Sequence, residues 1–149
     1  MQVSSVVIDG FYNDVDEVRA MALAMEYNTS GNYPGIRTKP VYNQGVKDLI
    51  ESIIQPYAGK ITRWDTEYTG AFQYTTQRDR SWVHADQTTR WAGVCYLTPN
   101  APPNAGTSII DAENHKFINV ENNYNRLVAY DGSIVHGLSD FFGNCEETG

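Results

Sequence analysis

The chain is poor in cysteine, short of cationic residues and without any long apolar run, and each shortage excludes something. Its two cysteines, Cys95 and Cys145, stand fifty residues apart. They are too few for a disulfide framework and lack the spacing of a zinc motif. They read as a buried free thiol inside an apolar run and a thiol near the C-terminus, which fits a reducing compartment. No stretch approaches the roughly 20 apolar residues of a membrane span. The opening Met1-Gln2-Val3-Ser4-Ser5-Val6-Val7-Ile8 has neither the basic region nor the long apolar core of a secretory signal. A soluble, cytoplasmic protein is expected. Lys and Arg total 11 against 18 Asp and Glu, for a net charge of −7. Phosphate backbones are bound by clustered cations, so nucleic acid is not an expected partner. No internal repeat or low-complexity tract is present.

What remains is enough for one domain with a real core: 149 residues, 41% hydrophobic and 12% aromatic. Val6-Val7-Ile8 suggests a short strand running into Asp9-Gly10-Phe11-Tyr12. Asp14 and Glu17 stand three apart as in a capping box, and Val15, Val18, Ala22 and Met25 follow at helical spacing. Asn28 to Pro40, with Gly31, Pro34, Gly35 and Pro40, is expected to be loop. A second helix is predicted from about Val46 to Gln55, with Leu49, Ile50, Ile53 and Ile54 on its apolar face and Pro56 as its stop. From Ile61 onward the segments turn β-like, rich in aromatic and β-branched residues. They are Ile61–Trp64, Tyr68–Thr75, Ser81–Ala85, Trp91–Leu97, Thr107–Ile110, Phe117–Val120, Arg126–Tyr130 and Ser133–Leu138. Turn signals lie at Pro99 to Gly106, Asn122 to Asn125 and Asp131-Gly132. Two leading helices followed by many short strands give an α+β fold, the helices packed on a β-barrel or jelly roll.

One segment carries chemistry. In Trp82-Val83-His84-Ala85-Asp86, read as a strand, His84 and Asp86 point to the same face. An imidazole and a carboxylate converging from one strand make two thirds of a facial metal site, whose third ligand is usually a distant His. His136 is the better candidate, because it follows a strand, a turn and the start of another strand. His115 lies in the polar run Asp111-Ala112-Glu113-Asn114-His115-Lys116, which looks like solvated loop. A face of two His and one carboxylate leaves adjacent coordination positions open, the arrangement associated with non-haem iron(II) oxygenases. A lone His-x-Asp is a weak signal, and a single His is by default a hydrogen-bonded core residue. The joint context raises the metal reading above both.

The ordered series His84-Ala85-Asp86, Trp91-Ala92-Gly93-Val94-Cys95-Tyr96-Leu97-Thr98-Pro99, Gly106-Thr107, Asn125-Arg126-Leu127-Val128-Ala129-Tyr130-Asp131-Gly132 and His136 resembles the 2-oxoglutarate/Fe(II)-dependent dioxygenases. The branch it is most similar to is that of the prolyl-4-hydroxylases and their small microbial and phage relatives. The resemblance covers about residues 68 to 143, and the opening Ile8-Asp9-Gly10-Phe11-Tyr12 also looks like this group. It implies a double-stranded β-helix (a jelly roll, cupin-like) with two N-terminal helices, over a single domain 1–149. It implies Fe(II) on His84, Asp86 and His136, 2-oxoglutarate as co-substrate, ascorbate as a reductant, and hydroxylation of a C–H bond in a small molecule or peptide. It also implies that Tyr74, about ten residues before the first ligand, and Tyr96 line the 2-oxoglutarate pocket, where phenols can donate to a carboxylate. Barrel packing is nearly as good a reading of both tyrosines. Arg126 is expected to pair with an acidic neighbour on the barrel rim. Tyr33, Tyr42 and Trp91 could stack on a substrate, with core packing as the default.

The chain departs from the family pattern at one place. The resemblance implies an Arg or Lys about ten residues after the distal His, yet Gly137 to Gly149 contain neither. The expectation is therefore a domain lacking its last core strand, or a variant with another co-substrate or none. A missing strand would leave a sheet edge open to pairing in a homodimer. The rival readings are a non-catalytic metal-binding jelly roll and a cupin-like metalloenzyme that uses no oxo acid.

Overall fold

A computed structural model describes residues 3–87, 90–113 and 115–149. Met1 and Gln2 of the N-terminal stretch and Asn114 of the polar run before His115 lie outside the described residues. In chain order the elements are β1 (Ser5–Ile8), α1 (Val15–Leu23), β2 (Thr29–Gly31), β3 (Tyr33–Arg37), α2 (Gln44–Ala58), β4 (Gln73–Tyr74), β5 (Trp91–Cys95), β6 (Thr107–Asp111), β7 (Lys116–Val120), β8 (Leu127–Asp131) and β9 (Val135–Leu138). The fold is mixed α+β. Its strands form three sheets, ordered β1-β8-β5, β2-β3-β4 and β7-β6-β9, and every pairing between them is antiparallel.

β8 is the centre of the first sheet, and Leu127, Val128, Ala129 and Tyr130 are all buried. A continuous apolar run of this kind suits a strand covered on both faces. Tyr96, Ile109, Val120, Val128 and Tyr130 form the core cluster, drawing on β6, β7, β8 and the residue after β5. Ile109 and Val128 have no solvent exposure. Side chains of this size contribute about 1.5–3 kcal/mol each when fully buried. The loop entering β6 lies close against β7: a Cβ on Gly106 would stand 1.8 Å from the Val120 carbonyl oxygen, so only glycine fits. The Asp131-Gly132 signal is a turn from β8 into β9. The Ser133 N–H donates to Asp131 Oδ1 at 3.0 Å, the local side-chain bond that favours Asp in turns.

Asp14 caps α1, accepting from the Glu17 N–H at 3.2 Å, and Asp16 and Glu17 add favourable charge to the first turn. Arg19 ties the helix to the sheets by donating from Nε to the Leu97 carbonyl at 2.9 Å. α2 is capped by Asn43, which accepts from the Val46 N–H at 3.0 Å. It starts two residues before the expected Val46 and passes through Pro56 to Ala58. Proline removes one donor within the helix, but the Gly59 N–H still closes on the Gln55 carbonyl at 2.9 Å, so the last turn forms.

Three stretches differ from expectation. Asn28 to Pro40, expected as loop, contains the hairpin β2–β3. Pro34 and Gly35 do not end β3: the pairing shifts register there and Gly35 takes a φ of +72°. The Pro-Gly signal is absorbed as a bulge rather than a break. Ile61–Trp64 is not a strand, and of Tyr68–Thr75 only Gln73–Tyr74 is. Local partners satisfy that backbone instead: Glu51 Oε2 accepts from the Ile61 N–H at 2.8 Å, and Asp65 Oδ1 from the Glu67 N–H at 2.8 Å. Ser81–Ala85 is reduced to a single bridge, described next.

Candidate metal centre

The centre is built on a row of residues that crosses the β7-β6-β9 sheet. Ile109 of β6 stands opposite Ile118 of β7 on one side and His136 of β9 on the other. His136 in turn stands opposite His84, through a two-bond bridge: the His84 N–H donates to the His136 carbonyl at 2.9 Å and the His136 N–H to the His84 carbonyl at 2.8 Å. Residues directly opposite in an antiparallel pair share a face. The buried face of the core thus continues from isoleucine through His136 to His84 at its border. The His136 side chain is 5% exposed and that of His84 45%. The Asp86 N–H donates to the Gly132 carbonyl at 2.7 Å, which fixes the segment's other end. Val83, one step out of phase, is 56% exposed, and Trp82, His84 and Ala85 are exposed too, so the segment lies along the rim and only the bridge at His84 is regular.

His84, Asp86 and His136 form a group that could hold a metal ion, each offering one ligand atom within 4.8 Å of the others. His84 Nε2 lies 3.6 Å from Asp86 Oδ1, and His136 Nε2 lies 3.7 Å from Asp86 Oδ2. These separations exceed the 2.7–3.2 Å of a normal hydrogen bond. Two donors bound at about 2.1 Å to one cation stand roughly 3–3.5 Å apart, so the spacing is close to what a shared ion needs. The donor chemistry fits as well. His136 Nδ1 is 2.8 Å from the Ile134 carbonyl oxygen. A carbonyl only accepts, so Nδ1 donates to it, and in the neutral imidazole this leaves the Nε2 lone pair free on the side of Asp86. This is the outer hydrogen bond that orients a metal-binding imidazole. His84 Nδ1 has a longer contact, 3.4 Å, to the Trp82 carbonyl. The two imidazole rings meet at a tilt with their centres 4.6 Å apart, and the Tyr130 ring, also tilted, lies 4.5 Å from that of His136.

Tyr130 is a site residue that the motif reading does not single out. It is buried, and burial, followed by the Asp86 charge, pushes its phenol well above the usual range, while Arg37 pulls the other way. Only the register of β8 could have flagged it.

The other expected residues fall as follows. Tyr96 is in the core with its hydroxyl 2.7 Å from Thr107 Oγ1, and burial raises its phenol. Tyr74 meets Tyr27 edge-on at 5.1 Å. No hydrogen bond or ring contact joins either tyrosine to the triad among the described residues. His115 is exposed, with a φ of +54°, in the turn before β7. Arg126 pairs with Asp9, Nε to Oδ1 at 2.7 Å, as expected. Tyr33 stacks under Arg37, and Tyr42 meets Trp64 edge-on at 6.4 Å. Both cysteines are free thiols, and burial pushes Cys95 up to about 12.

Comparison of the chain with protein-family models, curated proteins and solved structures found no match. No helix among the described residues is long and apolar enough to cross a membrane.

Proposed function

We propose that this chain is an Fe(II)- and 2-oxoglutarate-dependent oxygenase on a double-stranded β-helix, hydroxylating a C–H bond of a small molecule or peptide. The observation that carries the reading is the convergence of His84 Nε2, His136 Nε2 and both Asp86 oxygens at 3.6 and 3.7 Å. Two imidazole nitrogens and one carboxylate are the donor set associated with non-haem iron(II), and an ion held by these three residues would have room for an oxo acid and O2. Bound iron(II) supplies oxidation by O2 coupled to decarboxylation of the oxo acid.

The protein's own residues do the rest. Ile134 holds His136 in the tautomer that binds metal. Asp86 contributes the one negative charge of the set and orients towards both imidazoles. Tyr130 packs on the inner imidazole and keeps water from that side. His84, the outermost ligand, stands where a ligand can approach from solvent.

The reading is tested by succinate formation from 2-oxoglutarate with added iron and ascorbate. Succinate is expected from the wild type and lost in His84→Ala and His136→Ala. Unchanged turnover in those variants refutes the assignment. Metal binding without 2-oxoglutarate turnover leaves a non-catalytic metal-binding domain.

A further inference from the structure

The segment that carries His84 and Asp86 is the last backbone on its side of the sheet. Beyond β7, β6 and β9 the order ends on it, through the bridge to His136. The His84 N–H and carbonyl both point to β9, with bonds of 2.9 and 2.8 Å. The Asp86 N–H also turns inward, to the Gly132 carbonyl at 2.7 Å. In an extended chain the residues between such inward groups present their N–H and C=O to the other side. Val83 and Ala85 are those residues. Among the described residues neither makes a backbone hydrogen bond, and both are exposed. They form a short open edge, with one free donor and acceptor on each side of His84.

A peptide backbone matches such an edge, because its own N–H and C=O groups recur at the same spacing. Added antiparallel, it makes hydrogen-bonded pairs at Val83 and Ala85 and a closer, non-bonded pair at His84. The peptide residue opposite His84 then carries its side chain on the face of the imidazole. That face borders Asp86 and His136, so edge pairing delivers one side chain in register to the metal group.

Charge selects the kind of peptide. The whole chain has a net charge of −7, but Arg78 to Arg90 hold three arginines against two aspartates. One of those acids, Asp79, is turned back on Thr76, accepting from its N–H at 2.7 Å, and the other is Asp86. Arg78, Arg80 and Arg90 are exposed, and none has a carboxylate at ion-pair distance among the described residues. Arg80 lies two residues before Trp82. At the far end the Arg90 carbonyl accepts from Gly132, whose own carbonyl holds Asp86. Cations thus stand at both ends of an edge about seven residues long, where the acidic ends of an added strand would meet them.

We propose that the substrate of the metal centre is an extended, acid-flanked peptide that adds to the Val83–Ala85 edge as a further strand. Its role as substrate rests on the oxygenase reading above; the docking does not.

The probe is a mixture of seven-residue peptides with glutamate at both ends and five randomised positions. It is passed over immobilised Zn(II)-loaded protein without O2 or 2-oxoglutarate, so retention needs no turnover. The most enriched peptide is resynthesised and its affinity measured by calorimetry. Val83→Pro and Ala85→Pro each remove one outward N–H and leave the bonds to β9 in place. Each is expected to weaken binding about 5- to 10-fold, while Val83→Ala, which keeps the N–H, stays within about 2-fold. On wild type, which does not depend on a proline variant folding, the peptide is N-methylated at alternate residues in two sets. One set is expected to abolish binding and the other to spare it. A mixture with lysine at both ends is expected not to be retained. The proposal is overturned by no enrichment, by equal effects of the two methylated sets, by equal retention of the lysine mixture, or by amide protection of Val83 and Ala85 that rises with protein concentration alone, which would make a second copy the occupant. Succinate formation is read separately. Enrichment without succinate refutes the oxygenase reading and leaves the docking standing, whereas succinate without enrichment overturns this proposal alone.

Discussion

The sheets around Ile109 and Val128 and the stretch from Lys39 to Ala71 have similar stocks of apolar residues and opposite packing. In the sheets, strands from distant parts of the chain close over side chains with no exposure at all. Between Lys39 and Ala71, Ile54 is the one buried residue. α2 has an apolar stripe, but Leu49 remains 41% exposed and Tyr57 54%. Leu49, Val46 and Ile53 line an open groove of about 540 Å³ with Phe11 and Tyr12. Amphipathicity alone does not bury a helix, whereas strand register buries every second residue of a sheet at once. The metal group straddles this contrast. His136 sits in the closed part, while His84 and Asp86 hang from it by a bridge and one further bond.

The contrast is broken most directly by truncating one residue on each side. Ile109→Ala is expected to cost about 3–5 kcal/mol, since a fully packed site leaves a cavity that cannot collapse. Leu49→Ala, already facing solvent, is expected to cost less than about 1 kcal/mol. Urea denaturation of both variants checks this. Equal losses would show that α2 is as tightly packed as the sheets.

Metal ranks next. An ion that binds only the folded chain at a hundred times its Kd stabilises by about 2.7 kcal/mol. Thermal melts with and without Mn(II) are expected to show this gain in wild type and not in His136→Ala or Asp86→Asn. The metal-free melting temperature sharpens the comparison further. It is expected to fall more in His136→Ala, which empties a buried position, than in His84→Ala, whose side chain is 45% exposed. The opposite order would mean that the bridging segment, not β9, holds the border of the core together.

How legible these features were in the sequence follows the same division. The triad was readable because period-two alternation puts His84 and Asp86 on one side, and that holds even where the regular strand fails. β8 was readable because its apolar run matches its burial; β5, β6 and β7 were readable from their aromatic and β-branched residues, although Phe117 of β7 is 65% exposed. α1 was readable through Asp14 and Glu17, whose capping is local. The hairpin β2–β3 was not, because Pro34 and Gly35 signal a break that the fold uses as a bulge. Ile61–Trp64 was read as strand from composition, but nothing in composition reports that Glu51 will take the Ile61 N–H. Tyr130 was invisible as a site residue because its place beside His136 depends on which strands meet, and no spacing along the chain records that.

The smallest expected effect lies at the seam between the two regions, where β1 leads into Asp9-Gly10-Phe11. Arg126 of the β8 side donates to both Asp9 oxygens, at 2.7 and 3.1 Å. That bond holds the Asp9 carboxyl below its usual range. Because the folded pKa is depressed, the contribution to stability is complete above the unfolded value of about 4 and lost as pH falls through the folded one. Asp9 is 57% exposed, so solvent screens the pair and its worth is under about 1 kcal/mol. Asp9→Asn is therefore expected to lower the urea midpoint slightly at pH 7, with the gap to wild type closing as the pH falls below the usual carboxylate range. A loss at pH 7 near that of Ile109→Ala would show that this exposed seam, rather than the sheet interior, fixes the position of β1 against β8.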